Sequence, residues 1–177
     1  GVGVLLVGKS GIGKSELGLE MVAAGHRLVA DDLVILRPDG PHAVTGSSPN
    51  LTRHHIEIRG LGILNIKDLY GAVAVRDQKR VEMVVELVDW DANANYDRLG
   101  LDTRYMQLAG VPVEHVTLPM RSGRSMKMII EVAARNRLLK VRGTHSAQTF
   151  ADHLNSLLEA GIDPMSDLLP PQETSSE

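Results

Sequence analysis

With 177 residues the chain is long enough for one domain with a sizeable core, and its net charge of −3 excludes a general nucleic-acid binder, which needs a basic footprint. Having no cysteine, it has neither disulfides nor thiolate metal sites, and its 43% hydrophobic residues include only one Phe, one Trp and three Tyr, so Leu, Val, Ile and Met must fill the interior. No apolar run reaches membrane-spanning length and no signal peptide is visible, so a cytoplasmic protein without a membrane partner is expected.

The chain opens directly into "VGVLLVG", an apolar run of buried-strand type with no initiator Met before it, so it reads as a piece of something longer. A strand is expected over Val2–Val7. "GKSGIGKSE" follows and matches G-x-x-x-x-G-K-[ST] at Gly8, Gly13, Lys14 and Ser15, with Lys9, Ser10, Gly11 and Ile12 between. "SELGLEMVAAG" then has helical spacing, with Leu17, Met21 and Ala24 on one face, which predicts a helix over Lys14–Ala24 ended by Gly25. Strand, glycine loop and helix together form a phosphate cradle. Successive backbone N–H groups turn toward an anion and the helix N-terminus adds its dipole. Lys14 is placed to reach the β- and γ-phosphates of a nucleotide, and the Ser15 hydroxyl to coordinate Mg²⁺.

"HRLVADDLVILRPDGPHAVTG" predicts two short strands around a polar corner at Asp31–Asp32, a turn at Pro38–Pro41 and another strand. "SSPNLTRHH" reads as loop, and "IEIRGLGILNIKDLYG", with its interspersed glycines, as loop followed by a short helix near Lys67–Tyr70. "KRVEMVVELVDW" predicts a strand on which Val81, Met83, Val85 and Leu87 alternate with charges. The residues from Asp91 to Val111 are polar and irregular, and "VEHVTLPM" predicts a strand. A long helix is expected over about Ser125–Val141, its apolar face made of Met128, Ile129, Val132, Ala133 and Leu138. Thr144 is placed to cap a last helix over Ser146–Ala160, ended by Gly161, and residues 163–177 read as a disordered tail. The expected fold class is α/β, a P-loop kinase-like domain over residues 1–162 with a central mixed sheet flanked by helices.

Asp31 and Asp32 lie 17 and 18 residues beyond Lys14. In such folds the phosphate loop and neighbouring strand ends converge on one crevice, where a carboxylate holds Mg²⁺ or takes a proton from an attacking hydroxyl. An Asp pair is equally at home in a solvated turn, and Glu57, a second candidate metal ligand, also fits an exposed strand position. "NIKD" has the wrong order for a guanine reader, and "MVVELVD" approximates a nucleotide-metal strand ending in Asp89, with Glu86 interrupting it. The seven histidines show no metal-ligand spacing, and the adjacent His54 and His55 read as exposed loop.

The segments "GKSGIGKSE", "GHRLVADD", "IEIRGLGILNI", "YDRLG", "PMRSGR" and "IIEVAARN", in that order, resemble the C-terminal catalytic domain of HPr kinase/phosphorylase. The resemblance implies a bifunctional enzyme that phosphorylates a serine of the phosphocarrier protein HPr, or a paralogue of it, with ATP or pyrophosphate and Mg²⁺. In reverse it implies phosphorolysis of phosphoserine-HPr by inorganic phosphate to give pyrophosphate, within phosphotransferase-system regulation of carbon metabolism. It also implies a homohexamer. By the same resemblance Lys14 is catalytic, Asp32 is the proton acceptor of the forward reaction and proton donor of the reverse, Asp31 supports it, and Arg98 is a catalytic arginine. Ser15 and Glu57 become Mg²⁺ ligands. The signature runs through Ile56, Glu57, Ile58, Arg59, Gly60, Leu61, Gly62, Ile63, Leu64 and Asn65. Pro119, Met120, Arg121, Ser122, Gly123 and Arg124 match a segment tied mainly to dephosphorylation. The family's catalytic histidine upstream of the phosphate-loop strand, and its N-terminal domain, have no counterpart in this chain. Two other readings of the phosphate loop are a small-molecule kinase, which would act without HPr, and a non-catalytic nucleotide sensor, in which Asp32 would be idle.

Overall fold

The structure is a computed structural model that describes residues 1–94, 96, 103–121, 123–162 and 164. In chain order the elements are β1 (Val4–Gly8), α1 (Lys14–Ala23), β2 (Ile35–Pro38), β3 (Val44–Ser47), β4 (His55–Ile58), β5 (Gly62–Asn65), α2 (Ile66–Tyr70) and a 3₁₀ turn (Ala72–Ala74). They continue with β6 (Gln78–Arg80), β7 (Met83–Asp89), β8 (Arg104–Leu108), β9 (Val111–Met120), α3 (Met126–Val141) and α4 (Ser146–Glu159).

The main sheet has the order β1-β7-β9-β8. β7 runs parallel to both β1 and β9, and β8 closes the sheet as the antiparallel partner of β9. A strand with parallel neighbours on both sides is buried on both faces, and β7 has the composition for it. Met83, Val85 and Leu87 join Leu17, Met126 and Ile130 on the helix side, while Val84 joins Val44, Val111 and Val113 on the other. Met83, Val84, Val85 and Leu87 are all at most 1% exposed. Each such burial stabilises the fold by about 1.5–3 kcal/mol, so this strand fixes the sheet to which the phosphate loop is attached.

Two smaller sheets sit beside this frame: β2-β3-β6, antiparallel, and the hairpin β4-β5. The hairpin matters for the site. Ile56 and Ile58 point inward and pack with Val22 of α1, Ile66 of α2 and Ala74, and this small core clamps β4 against α1. The turn is closed by the Leu61 N–H donating to the Ile58 carbonyl, 2.9 Å, with Gly60 at φ 88 in the third position. That is the geometry of a type II turn, which requires positive φ there and so selects glycine.

Several expectations are corrected. The loop expected over residues 56–65 is a hairpin, because its glycines fall at the turn and strand edge rather than inside a continuous loop. The strand expected before Asp31 reduces to one bridge, Leu28 with Val75. The irregular stretch before Val111 contains β8, joined to β9 through Ala109 (φ 48) and Gly110 (φ 83). On α3 Ile129 and Ala133 of the expected face do pack against the core, but its most buried residues are Met126 and Ile130, while Met128 and Val132 are about 60% exposed, because packing on the sheet selects the adjoining side of the helix. His145, not Thr144, is the N-cap of α4, and no residue of α4 is buried. Apart from Pro164, the tail expected over 163–177 lies outside the described residues.

Candidate active site

β1 delivers the chain to the phosphate loop at the C-terminal edge of the main sheet. Gly8 ends β1 so close to β7 that a Cβ there would come within 2.6 Å of the Leu87 carbonyl oxygen, so no larger residue fits. Ile12 is buried in the helix-side core and anchors the loop from below, while Ser10 and Gly11 lie at its surface. Gly13 is the N-cap of α1. Lys14 donates from Nζ to the carbonyls of Gly8 and Lys9, 3.0 Å each, which holds its ammonium over the loop. Lys9 itself pairs with Asp89.

The polar corner comes to the same place. The Ser15 hydroxyl donates to Asp31 Oδ1 at 2.8 Å, and the backbone N–H of Glu57 donates to Asp31 Oδ2 at 3.0 Å. One half-buried carboxylate therefore ties the first turn of α1 to β4 and places Ser15, Asp31 and Glu57 at one corner. Asp32 is exposed beside it and hydrogen-bonds no other described residue. A cavity of about 780 Å³ beside β1 has Lys14 and Asp31 in its lining. Among the described residues no three His, Cys, Asp or Glu side chains gather as a metal cage. The corner offers hard oxygens from the Ser15 hydroxyl and the Asp31 carboxylate, with the exposed Glu57 next in line on β4, which suits Mg²⁺, an ion usually held by one or two carboxylates with phosphate and water completing its shell.

Within the signature segment, Glu57 and Arg59 are exposed while Ile56 and Ile58 are buried, as strand alternation demands. Leu61 and Ile63 are exposed, Leu64 packs against the hairpin core, and Asn65 caps α2 by accepting from the N–H groups of Lys67 and Asp68. Pro119 and Met120 end β9 beside β7, with Met120 paired to Asp89. Met120, Gly123 and Arg124 line a cleft with Gly13 and Glu16 of the loop and α1, so the 119–124 segment borders the phosphate loop. The Arg121 guanidinium lies over the Trp90 ring, 4.9 Å from its centroid, and Tyr96 stacks on the same indole at 5.3 Å. Arg98 and Ser122 lie outside the described residues.

Asp89 does stand at the end of the strand parallel and adjacent to β1, where "MVVELVD" suggests it, but its partner is Lys9 and not Ser15. Glu86 does not disrupt that strand, because its side chain is only partly buried and lies 3.0 Å from the otherwise unpartnered His115 Nε2. Trp90 gives no signal beyond its rarity.

A family model described as the HPr Serine kinase C-terminal domain matches residues 1–154. The chain belongs to this family. It is 52% identical over 159 residues to an HPr kinase/phosphorylase of Geobacter sulfurreducens, covering 90% of this chain and 50% of that protein. It is 52% identical over 161 residues to an HPr kinase/phosphorylase of Bacillus cytotoxicus, covering 91% and 52%. The chain thus spans about half the length of the curated relatives it matches. The solved structure of the Hpr(Ser) kinase/phosphatase from Coxiella burnetii superposes with a TM-score of 0.73 at 34% identity, covering 84% of this chain and 90% of that one. The α/β fold, with its central mixed sheet and flanking helices, is therefore that of the HPr kinase C-terminal domain.

Proposed function

We propose that this domain transfers a phosphoryl group from ATP or pyrophosphate to a serine of HPr, and that it runs phosphorolysis of phosphoserine-HPr in the opposite direction. The observation that carries the reading is the link Ser15–Asp31–Glu57, which joins the phosphate loop to the signature hairpin in a chain of this family. A loop that grips phosphates rather than a base accepts ATP and pyrophosphate alike.

In the forward direction the serine oxygen attacks the terminal phosphorus, Asp32 takes the hydroxyl proton, and the bond to the bridging oxygen breaks, releasing ADP or phosphate. Asp32 is suited to this because its carboxylate is exposed and unengaged by described neighbours, whereas Asp31 is committed to Ser15 and Glu57. In reverse, an oxygen of inorganic phosphate attacks the phosphoserine phosphorus, the serine oxygen leaves and recovers its proton from Asp32, and pyrophosphate forms. Lys14 and, by family resemblance, Arg98 offset charge on the transferring group. Mg²⁺, held by Ser15 and Glu57 with Asp31 behind them, would neutralise phosphate charge when bound. A homohexamer in the cytoplasm, with HPr or a paralogue as partner, completes the reading by resemblance.

The test is incubation with γ-labelled ATP, Mg²⁺ and purified HPr, followed by phosphoserine-HPr with inorganic phosphate. Label on one HPr serine and pyrophosphate in the second reaction are expected. ATP turnover indifferent to HPr would replace this reading with a small-molecule kinase.

A further inference from the structure

Arg59 stands at the tip of the β4–β5 hairpin, directly after β4. We propose that its guanidinium is a phosphate ligand that closes the phosphate loop from the hairpin side and holds the terminal phosphoryl group.

A Cβ built on Gly11 would lie 3.5 Å from Arg59 Nη2 and 3.8 Å from Nη1. Both terminal nitrogens thus lie against the middle of the loop whose N–H groups gather phosphates. The placement is a consequence of the fold. Ile56 and Ile58 clamp β4 to α1, the Glu57 N–H is tied through Asp31 to Ser15, and alternation puts Glu57 and Arg59 on the side away from that core. Of the neighbouring cations, Lys9 is paired with Asp89 and Lys14 rests on loop carbonyls. Arg59 is exposed and has no ion-pair partner among the described residues. A guanidinium brings a planar fork of donors that matches two phosphate oxygens at once. Supplied from outside the loop, it has the chemistry of an arginine finger provided in cis. Which phosphate it holds in which reaction rests on the function proposed above; that it binds phosphate does not.

The test measures pyrophosphate affinity by calorimetry, in Mg²⁺ buffer, for the wild-type chain and for R59Q, R59K and the exposed control R37Q. We expect R59Q to bind about 10–100-fold more weakly, as loss of charge-assisted hydrogen bonds implies. R59K, which keeps charge but not the fork, should fall about fivefold, and R37Q should match wild type. Circular dichroism checks folding, and R59K carries the comparison should R59Q melt early. R59Q affinity within about threefold of wild type overturns the assignment, whatever happens to the rate. Wild-type chain that binds pyrophosphate in an Arg59-dependent way but transfers nothing to HPr would sink the HPr reading and leave this one standing.

Discussion

In the phosphate loop the functional side chains are held by the protein itself, whereas on the elements around it they are presented to solvent. Lys14 is bonded to two loop carbonyls, Lys9 to Asp89 and Ser15 to Asp31. Asp32 and Arg121 are both exposed. Under the proposed function, the first region is pre-organised for what both directions would share, a chain of phosphates. The second would then be left open to a large acceptor that brings its own contacts. Catalysis by positioning and charge neutralisation requires both, and the division predicts which substitutions act on binding and which on rate.

The comparison is tested most severely at Lys14. Lys14→Ala should remove ground-state phosphate binding and transition-state charge together, lowering kcat/KM by roughly 10³–10⁵-fold in both directions. Initial rates of phosphorylation and phosphorolysis measure this, and near-normal phosphorolysis would mean that the two reactions do not share the loop. Asp32→Asn belongs to the open region and should cost about 10²–10⁴-fold in kcat while nucleotide affinity stays close to wild type. Parallel collapse of affinity, measured by calorimetry, would make Asp32 part of the pre-organised region instead. Arg121→Ala should be subtler. Phosphorolysis brings two anions together where phosphorylation brings a polyphosphate to a neutral hydroxyl, so added positive charge near the acceptor should matter more in reverse. The ratio of the two rates should shift by about threefold to tenfold at fixed salt, consistent with one partly exposed charge; equal losses in both directions would leave the 119–124 segment a structural turn.

The smallest effect lies away from the chemistry. Burial works to raise the Glu82 carboxyl, but the Gly3 N–H at 2.8 Å and the Lys79 ammonium at 3.0 Å outweigh it and hold the pKa below its ordinary value of 4.5. A depressed carboxyl contributes stability above its unfolded pKa and loses it as pH falls through the folded one. Glu82→Gln should therefore lower stability by about 1 kcal/mol at neutral pH, with the difference from wild type shrinking as pH falls below the ordinary carboxyl value of 4.5. Urea midpoints at two pH values decide it, and activity should follow neither.

The parts legible in the sequence are those where local chemistry and tertiary placement agree. The phosphate loop has a fixed glycine spacing between an apolar strand and a helix, so β1, Gly8–Ser15 and α1 were readable to within a residue or two. β7 was readable from its alternation, although Val84, buried on the opposite face, shows that a central strand needs more than one apolar side. The hairpin was not legible. Its glycines weaken strand propensity when counted, and only the backbone shows that they serve the turn. Only part of α3's buried face was legible: Ile129 and Ala133 do pack on the core, but Met128 and Val132 are as apolar as Met126 and Ile130, and only packing on the sheet chooses between them. The pairing of Ser15 with Asp31, rather than with the acid at the end of β7, depends on which loop crosses the corner, and no spacing rule contains that.

Because the chain has one tryptophan, and Trp90 carries Tyr96 stacked on its ring and the Arg121 guanidinium over it, the molecule carries its own optical label where the end of β7 meets the 119–124 segment. A guanidinium on an indole face is held by the ring quadrupole and alters the surroundings that the excited ring senses. Intrinsic emission thus senses the whereabouts of Arg121 along with the stacked Tyr96, and movement of that segment can be followed in the unmodified protein, in real time, without attaching a dye.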